Sequence, residues 1–208
     1  MSGGELRESR LVPEEDAARA NHYALIGRLF YEAPDSILLA RLCRAADPDS
    51  VGEGDSPLGR AWRALRQACN TAFPVAIRQE HEKLFLGVGK AEVTPYTSHY
   101  LRGISPDRHL VRLRERLDHL GLGRRSAAFE VEDHISGVCD VMRVLIENGH
   151  PLAEQCLFFN EFIYPGVKPF CAAVTAAASA TFYRCVAEFA QEFLAVEREA
   201  LDMDEGID

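Results

Sequence analysis

The chain has 208 residues, 47% hydrophobic and 26% charged, a composition that builds one ordinary globular domain and excludes disorder, collagen and a small disulfide-stapled scaffold. Its formal charge is −9, and residues 151–208 carry −7 of it, because ten acids there face only Lys168, Arg184 and Arg198. Clustered Lys and Arg drive phosphate binding, so no nucleic-acid partner is expected; an acidic surface of this kind serves solubility or attracts a basic peptide.

Met1 to Glu15 hold acids, two arginines and Pro13, with no apolar segment of the signal-peptide kind, so the chain is expected to stay in the cytoplasm. Nor does any stretch approach the ~18 uninterrupted apolar residues of an integral membrane segment. Helical periodicity dominates and clean period-two alternation is absent, which makes the fold class all-α: a single-domain helical bundle of about eight to ten helices spanning 1–208, with 1–13 and 202–208 as flexible ends.

In chain order, a first helix is expected from Glu14 to Tyr31, with Ala18, Leu25 and Leu29 on its apolar face, stopping before Ala33-Pro34. A second starts at Asp35 or Ser36 and carries Leu38, Leu39 and Leu42; Asp47 to Pro57 is a surface loop. Pro57 suits the first turn of a third helix with Trp62, Leu65 and Cys69, and Pro74 opens a fourth with Ile77, Leu84 and Phe85 that ends at Gly87-Val88-Gly89. From Gly87 to Ser105 runs a long connection with no helical face, and long ordered loops tend to be functional. Ser105-Pro106 signals a helix to about Leu120, closed by Gly121 and Gly123. Val131 to Asn148 forms the next, with Gly149 past its end and Pro151 opening another that carries Leu152, Cys156, Phe159 and Phe162. Tyr164-Pro165-Gly166 interrupts it, and Val167 to Val196 is one long helix or two broken at Ser179, with Phe182, Val186, Phe189 and Phe193 as a core stripe.

Most features with a chemical look have plainer readings. Gly87, Gly89 and Lys90 fail as a phosphate loop, because Leu84 and Ala91 stand where a Gly and a Ser or Thr are required, and Glu92 stands where a dinucleotide loop needs its third Gly. The six cysteines are scattered singly and read as reduced core thiols. The seven histidines include no i, i+4 pair and no H-E-x-x-H, and no Ser or Cys sits in a nucleophile elbow, so neither a metal site nor catalytic residues nor a cofactor are expected.

Two segments remain. Residues 80–101, EHEKLFLGVGKAEVTPYTSHYL, pass from a helix through glycines into an aromatic loop fixed by Pro95. Residues 130–135, Glu130-Val131-Glu132-Asp133-His134-Ile135, open a helix with acids that complement its dipole, yet include His134, which a helix N-terminus disfavours when charged.

Together these segments resemble the TorD/DmsD/NarJ family of cytoplasmic redox-enzyme maturation chaperones. Glu80, Leu84, Phe85, Gly87, Gly89, Pro95, Tyr96, Ser98 and Tyr100 fit its first motif, and Glu130, Asp133, His134 and Ile135 its second. The stretch from Tyr23 to Tyr31 and the Phe182-Tyr183-Arg184 helix look similar as well. Departures are His81 for an aromatic, Thr94 and Val131 for prolines, and Phe162 and Gly166 for a His and a Trp.

The resemblance implies a helical chaperone whose partner is the catalytic subunit of a molybdopterin oxidoreductase, bound through its twin-arginine signal peptide or its apoprotein until the cofactor is inserted. A peptide with a basic start and an apolar continuation needs carboxylates beside an aromatic groove. Glu132 and Asp133 are the expected guanidinium partners, with Glu130 beside them in the motif; Pro95, Tyr96 and Tyr100 form the wall with Ser98, and His134 bonds peptide backbone or orients Asp133. A helical protein with long connections also suits a domain-swapped homodimer. Two other readings stand beside this one: a helical interaction or regulatory module without a signal-peptide role, and a hydrolase using His134 with Asp133 or Glu132 as general base. Preference for a twin-arginine over a Lys-Lys peptide argues against the first, since Lys lacks the planar fork.

Overall fold

A computed structural model of the protein describes residues 13–46, 55–87, 91–122 and 132–204. Glu130 and Val131, the pair Gly89 and Lys90, Gly123, most of the Asp47–Pro57 loop, and most of both expected flexible ends lie outside the described residues.

Among the described residues the architecture is all-α: α1 (Glu14–Tyr31), α2 (Ser36–Arg44), α3 (Pro57–Thr71), α4 (Pro74–His81), α5 (Pro106–His119), α6 (Ile135–Glu147), α7 (Leu152–Phe158), α8 (Tyr164–Ala176) and α9 (Phe182–Asp204). The starts follow local chemistry. Asp35 accepts the Leu38 N–H at 2.8 Å, Ser56 the Gly59 N–H at 2.9 Å and Ser105 the Arg108 N–H at 3.4 Å, and Pro57, Pro74 and Pro106 occupy first turns where no N–H is needed. Gly121 and Gly149 close α5 and α6 with φ of +68° and +66°.

The described helices pack around one apolar core. α1 lies along α6, brought close by Gly27, where an added Cβ would stand 3.3 Å from both the Cys139 Cβ and the Ser136 carbonyl. α3 and α8 flank α9, whose Phe182, Val186, Phe189 and Phe193 are all buried, as the stripe predicts. Aromatic edges fill the centre: Phe30 meets Phe170 at 4.8 Å and Phe85 meets Tyr183 at 5.1 Å between ring centroids. Cys69, Cys139, Cys156 and Cys171 are buried and Cys43 and Cys185 half-buried, all as thiols. No described helix is long and apolar enough to cross a membrane.

The structure departs from the periodicity at five places. The fourth helix ends in a π turn, Glu82–Leu86, whose last hydrogen bond runs from the Gly87 N–H five residues back to the Glu82 carbonyl at 2.7 Å. Tyr164-Pro165-Gly166 is no break: a second π turn, Phe159–Ile163, joins α7 to α8 as one rod, with the Tyr164 N–H reaching the Phe159 carbonyl. That wider turn sits just ahead of Pro165, which lacks an N–H and whose ring presses on the preceding turn of a regular α-helix. The connection after Gly87 is not wholly extended, since Thr97–Tyr100 form a 3₁₀ turn. α6 begins at Ile135 rather than Val131, because His134 is extended and its neighbours' backbone groups are engaged elsewhere. The long C-terminal segment divides at residues 177–181, around the expected Ser179, and α9 then runs past Val196 to Asp204, into the stretch expected as a tail.

Candidate functional site

Both motif segments meet at the N-terminus of α6. Tyr96 and His134 form an isolated antiparallel β-bridge: the Thr97 N–H donates to the Asp133 carbonyl at 2.9 Å and the Ile135 N–H donates to the Pro95 carbonyl at 3.0 Å. The Asp133 carboxylate adds a third tie, accepting the Ser98 N–H at 3.2 Å across 35 residues and capping the 3₁₀ turn from outside. Residues 95–98 and 133–135 are therefore one structural unit.

His134 is the N-cap of α6. Its Nδ1 accepts the Ser136 N–H at 3.1 Å and lies 2.6 Å from the Ser136 hydroxyl. A ring nitrogen that accepts a backbone N–H carries no proton, so the imidazole is assigned its proton on Nε2, the form that a helix N-terminus tolerates. The Tyr96 ring stands edge-on to it at 5.3 Å, and Tyr31, from the end of α1 and half-exposed, approaches at 6.4 Å. Tyr100 donates to the Thr94 carbonyl at 2.8 Å and packs toward Phe170, and burial pushes its phenol up to about 12.

The two acids are placed differently. Asp133 is 1% exposed and turned into the protein, toward the loop it holds. Glu132 lies nearer the surface but is largely covered, its carboxylate taken by the guanidinium of Arg114 on α5, with Nε to Oε1 at 3.2 Å and Nη2 to Oε2 at 3.1 Å. The Glu132 backbone is seated closely on α6: a Cβ on Gly137 would lie 3.0 Å from the Glu132 carbonyl oxygen. Hydrogen bonding to Glu132 holds Arg114 above its ordinary pKa.

Two further anchors fix the loop. The Thr97 hydroxyl pairs with His109 Nε2 at 3.1 Å inside the protein, and burial lowers the pKa of His109 against the opposing pull of Asp133. On the other side Thr97 presses on α8 so closely that a Cβ on Gly166 would fall 2.5 Å from the Thr97 Cβ. Thus Pro95, Tyr96, Ser98, Tyr100, Glu132, Asp133 and His134 are brought together, while Glu130 lies outside the described residues.

Sequence reasoning missed Tyr31, Thr97, His109, Arg114, Gly137 and Gly166. A glycine inside an apolar helical pattern is the usual sign of close backbone approach, and Gly166 carries that sign. The other members of the first motif turn inward: Leu84 and Phe85 are core, and Glu80 caps α9, accepting N–H groups from Thr181, Phe182 and Tyr183 at 2.8, 3.1 and 2.8 Å.

A separate cleft of about 480 Å³ opens at the other end of α6, about 20 Å away by helix rise. It is lined by Asp16, Arg19, Ile146, Leu152, Gln155 and Leu201, and Arg19 is pinned there by the buried Glu197 at 2.7 Å. None of its lining residues belongs to the two motif segments, so the joined segments, not the cleft, define the candidate site.

A model of the nitrate reductase delta subunit family matches residues 52–195, which include both segments. Among solved structures, a crystal structure from Archaeoglobus fulgidus, named as a candidate redox enzyme maturation protein, superimposes with a TM-score of 0.55 at 20% identity, covering 85% of this chain and 93% of its own. At that identity the likeness shows the fold. No curated protein sequence matches the chain.

Proposed function

Because the chain belongs to the nitrate reductase delta subunit family, whose members are maturation chaperones of molybdenum oxidoreductases, we propose that it is a cytoplasmic, system-specific chaperone that binds the twin-arginine signal peptide of one such enzyme and holds it until its cofactor is inserted. The observation that carries this reading is the Tyr96–His134 bridge, which joins two motif segments into one surface. That surface offers what a basic and then apolar peptide requires: aromatic edges from Tyr96 and Tyr31, a fixed backbone, and a carboxylate already set to hold a guanidinium.

The roles follow from exposure. Glu132 meets the peptide guanidinium through paired hydrogen bonds, a geometry that Arg offers and Lys does not. Asp133 is a positioning residue that holds the 3₁₀ turn through Ser98. The neutral His134 keeps α6 capped without adding a positive charge beside the bound arginine, and Pro95, Tyr96 and Tyr100 shape the wall. Where the oxidoreductase lacks a working export signal, the same surface takes an N-terminal stretch of the apoprotein of like chemistry.

The test is calorimetric titration with signal peptides of the molybdoenzymes from the same cell, each beside its Lys-Lys control. Saturable binding to one peptide that weakens at least about tenfold with Lys-Lys, the scale of losing a bidentate charged contact, supports the reading and identifies the partner. Equal binding of both versions would reduce the protein to a general helical interaction module.

A further inference from the structure

The Glu132 carboxylate carries a second consequence, which rests on the reading just given. In the free protein it is already occupied by a guanidinium in the forked, two-bond arrangement that a peptide arginine would adopt, with contacts of 3.2 and 3.1 Å. The two ends of this pair are unequal. The Glu132 side chain is 12% exposed, and its backbone is fixed by the Gly137 contact and the adjoining bridge, whereas the Arg114 side chain is 53% exposed at the end of a flexible stem. One partner is part of the site; the other is free to swing away.

We propose that Arg114 is an internal stand-in for the partner's arginine: it occupies Glu132 until a peptide guanidinium displaces it, and so sets the affinity of the site. The occupant that displaces it is a basic peptide segment bearing a guanidinium, here the twin-arginine segment.

Two physical effects favour such an arrangement. A carboxylate at 12% exposure left without a cation would lose hydration, so a resident guanidinium stabilises the empty site. A ligand that then replaces one forked pair by another exchanges like for like, while an ammonium recovers only a single contact; the cost of releasing Arg114 is the same for both, so the preference for Arg stays with the carboxylate itself. Arg114 also lies on the helix that anchors the loop through His109 and Thr97, so its release leaves the rest of the site in place.

The signs of the expected effects are opposite for the two partners, which separates this role from an ordinary structural ion pair. Arg114→Ala should bind the twin-arginine peptide tighter by about two- to fivefold, the range set by an exposed ion pair that no longer has to be broken, and should bind the Lys-Lys peptide tighter by the same factor, leaving the preference between them unchanged. Glu132→Gln should weaken twin-arginine binding, and in the Glu132→Gln background Arg114→Ala should have no effect. The gain should shrink between about 50 and 500 mM salt, as screening weakens the pair being broken.

Titration of the full-length protein and its three variants with the same peptides decides the matter, with thermal melts as the control for folding. Unchanged or weaker binding by a folded Arg114→Ala protein overturns the stand-in role while leaving the chaperone reading intact. Full binding by Glu132→Gln overturns the assignment of the carboxylate and the stand-in with it. If neither the native protein nor Arg114→Ala binds any twin-arginine peptide, the signal-peptide reading itself fails.

Discussion

Gly166→Ala is a small substitution with a large expected effect. The added Cβ would lie 2.5 Å from the Thr97 Cβ, 2.8 Å from its Cγ2 and 2.9 Å from its Cα. Carbon atoms rest comfortably at about 3.5 Å or more, so the loop or α8 must retreat by about 1 Å. Rotating the Thr97 side chain gives no relief, because the backbone Cα is among the clashing atoms. Thr97 cannot move alone either, since its N–H is bonded to the Asp133 carbonyl at 2.9 Å and its hydroxyl to His109 at 3.1 Å. Overpacking of this kind costs about 1–3 kcal/mol. Loosening two of these hydrogen bonds costs about 1 kcal/mol each. Alanine regains about 1 kcal/mol over glycine in a helix interior. The net loss is about 2–4 kcal/mol, or a Tm lower by about 4–16 °C for a domain of this size.

Thermal melts beside peptide titration provide the assay. Gly166→Ala should lose stability and peptide affinity together, because the displaced loop carries Pro95, Tyr96 and Ser98. Leu65→Ala, buried in α3 and packed toward α9 rather than the loop, should lose stability alone. Adding Thr97→Gly removes two of the three clashing atoms and should restore part of the loss. A Gly166→Ala protein with Tm within about 1 °C of the native value and unchanged peptide affinity would refute the close seating of the loop on α8.

Glu80→Ala removes the carboxylate that caps the Thr181, Phe182 and Tyr183 N–H groups, and should cost about 2–3 kcal/mol, with hydrogen exchange accelerated first in the opening turn of α9; unaltered exchange there would show that water replaces the cap. Burial lowers the pKa of His22, His81 and His109. A group whose folded pKa is depressed binds its proton more readily when unfolded, so the stability it contributes is present above the ordinary histidine value of about 6.5 and is lost as pH falls through the lowered folded value. The urea midpoint should therefore fall between pH 7.5 and 5, and His109→Gln should flatten that slope; a midpoint that rises toward pH 5 would contradict the assignment of neutral buried rings.

The sequence by itself determined the all-α class, the starts of α2, α3 and α5 at Asp35, Ser56-Pro57 and Ser105-Pro106, and the buried stripe on α9, and it marked Ser179 as the place where α8 and α9 would part if they were two helices. All of these rest on periodicity, capping and glycine or proline chemistry within a few residues, which a linear reading can see. It also singled out both motif segments and, through their resemblance, the family. What tertiary structure alone decided is how those segments act. That Asp133 turns inward to the loop while Glu132 pairs with Arg114, that Glu80 caps a helix a hundred residues away, and that Thr97 bears on Gly166 are contacts between distant parts of the chain. The uninterrupted rod through Pro165 belongs here too, because buried Phe159, Phe162 and Ile163 hold a π turn that local propensity disfavours. A linear pattern fixes which side of a helix is apolar, but the outcome at each of these positions depends on what stands opposite, and that is set only when the helices pack.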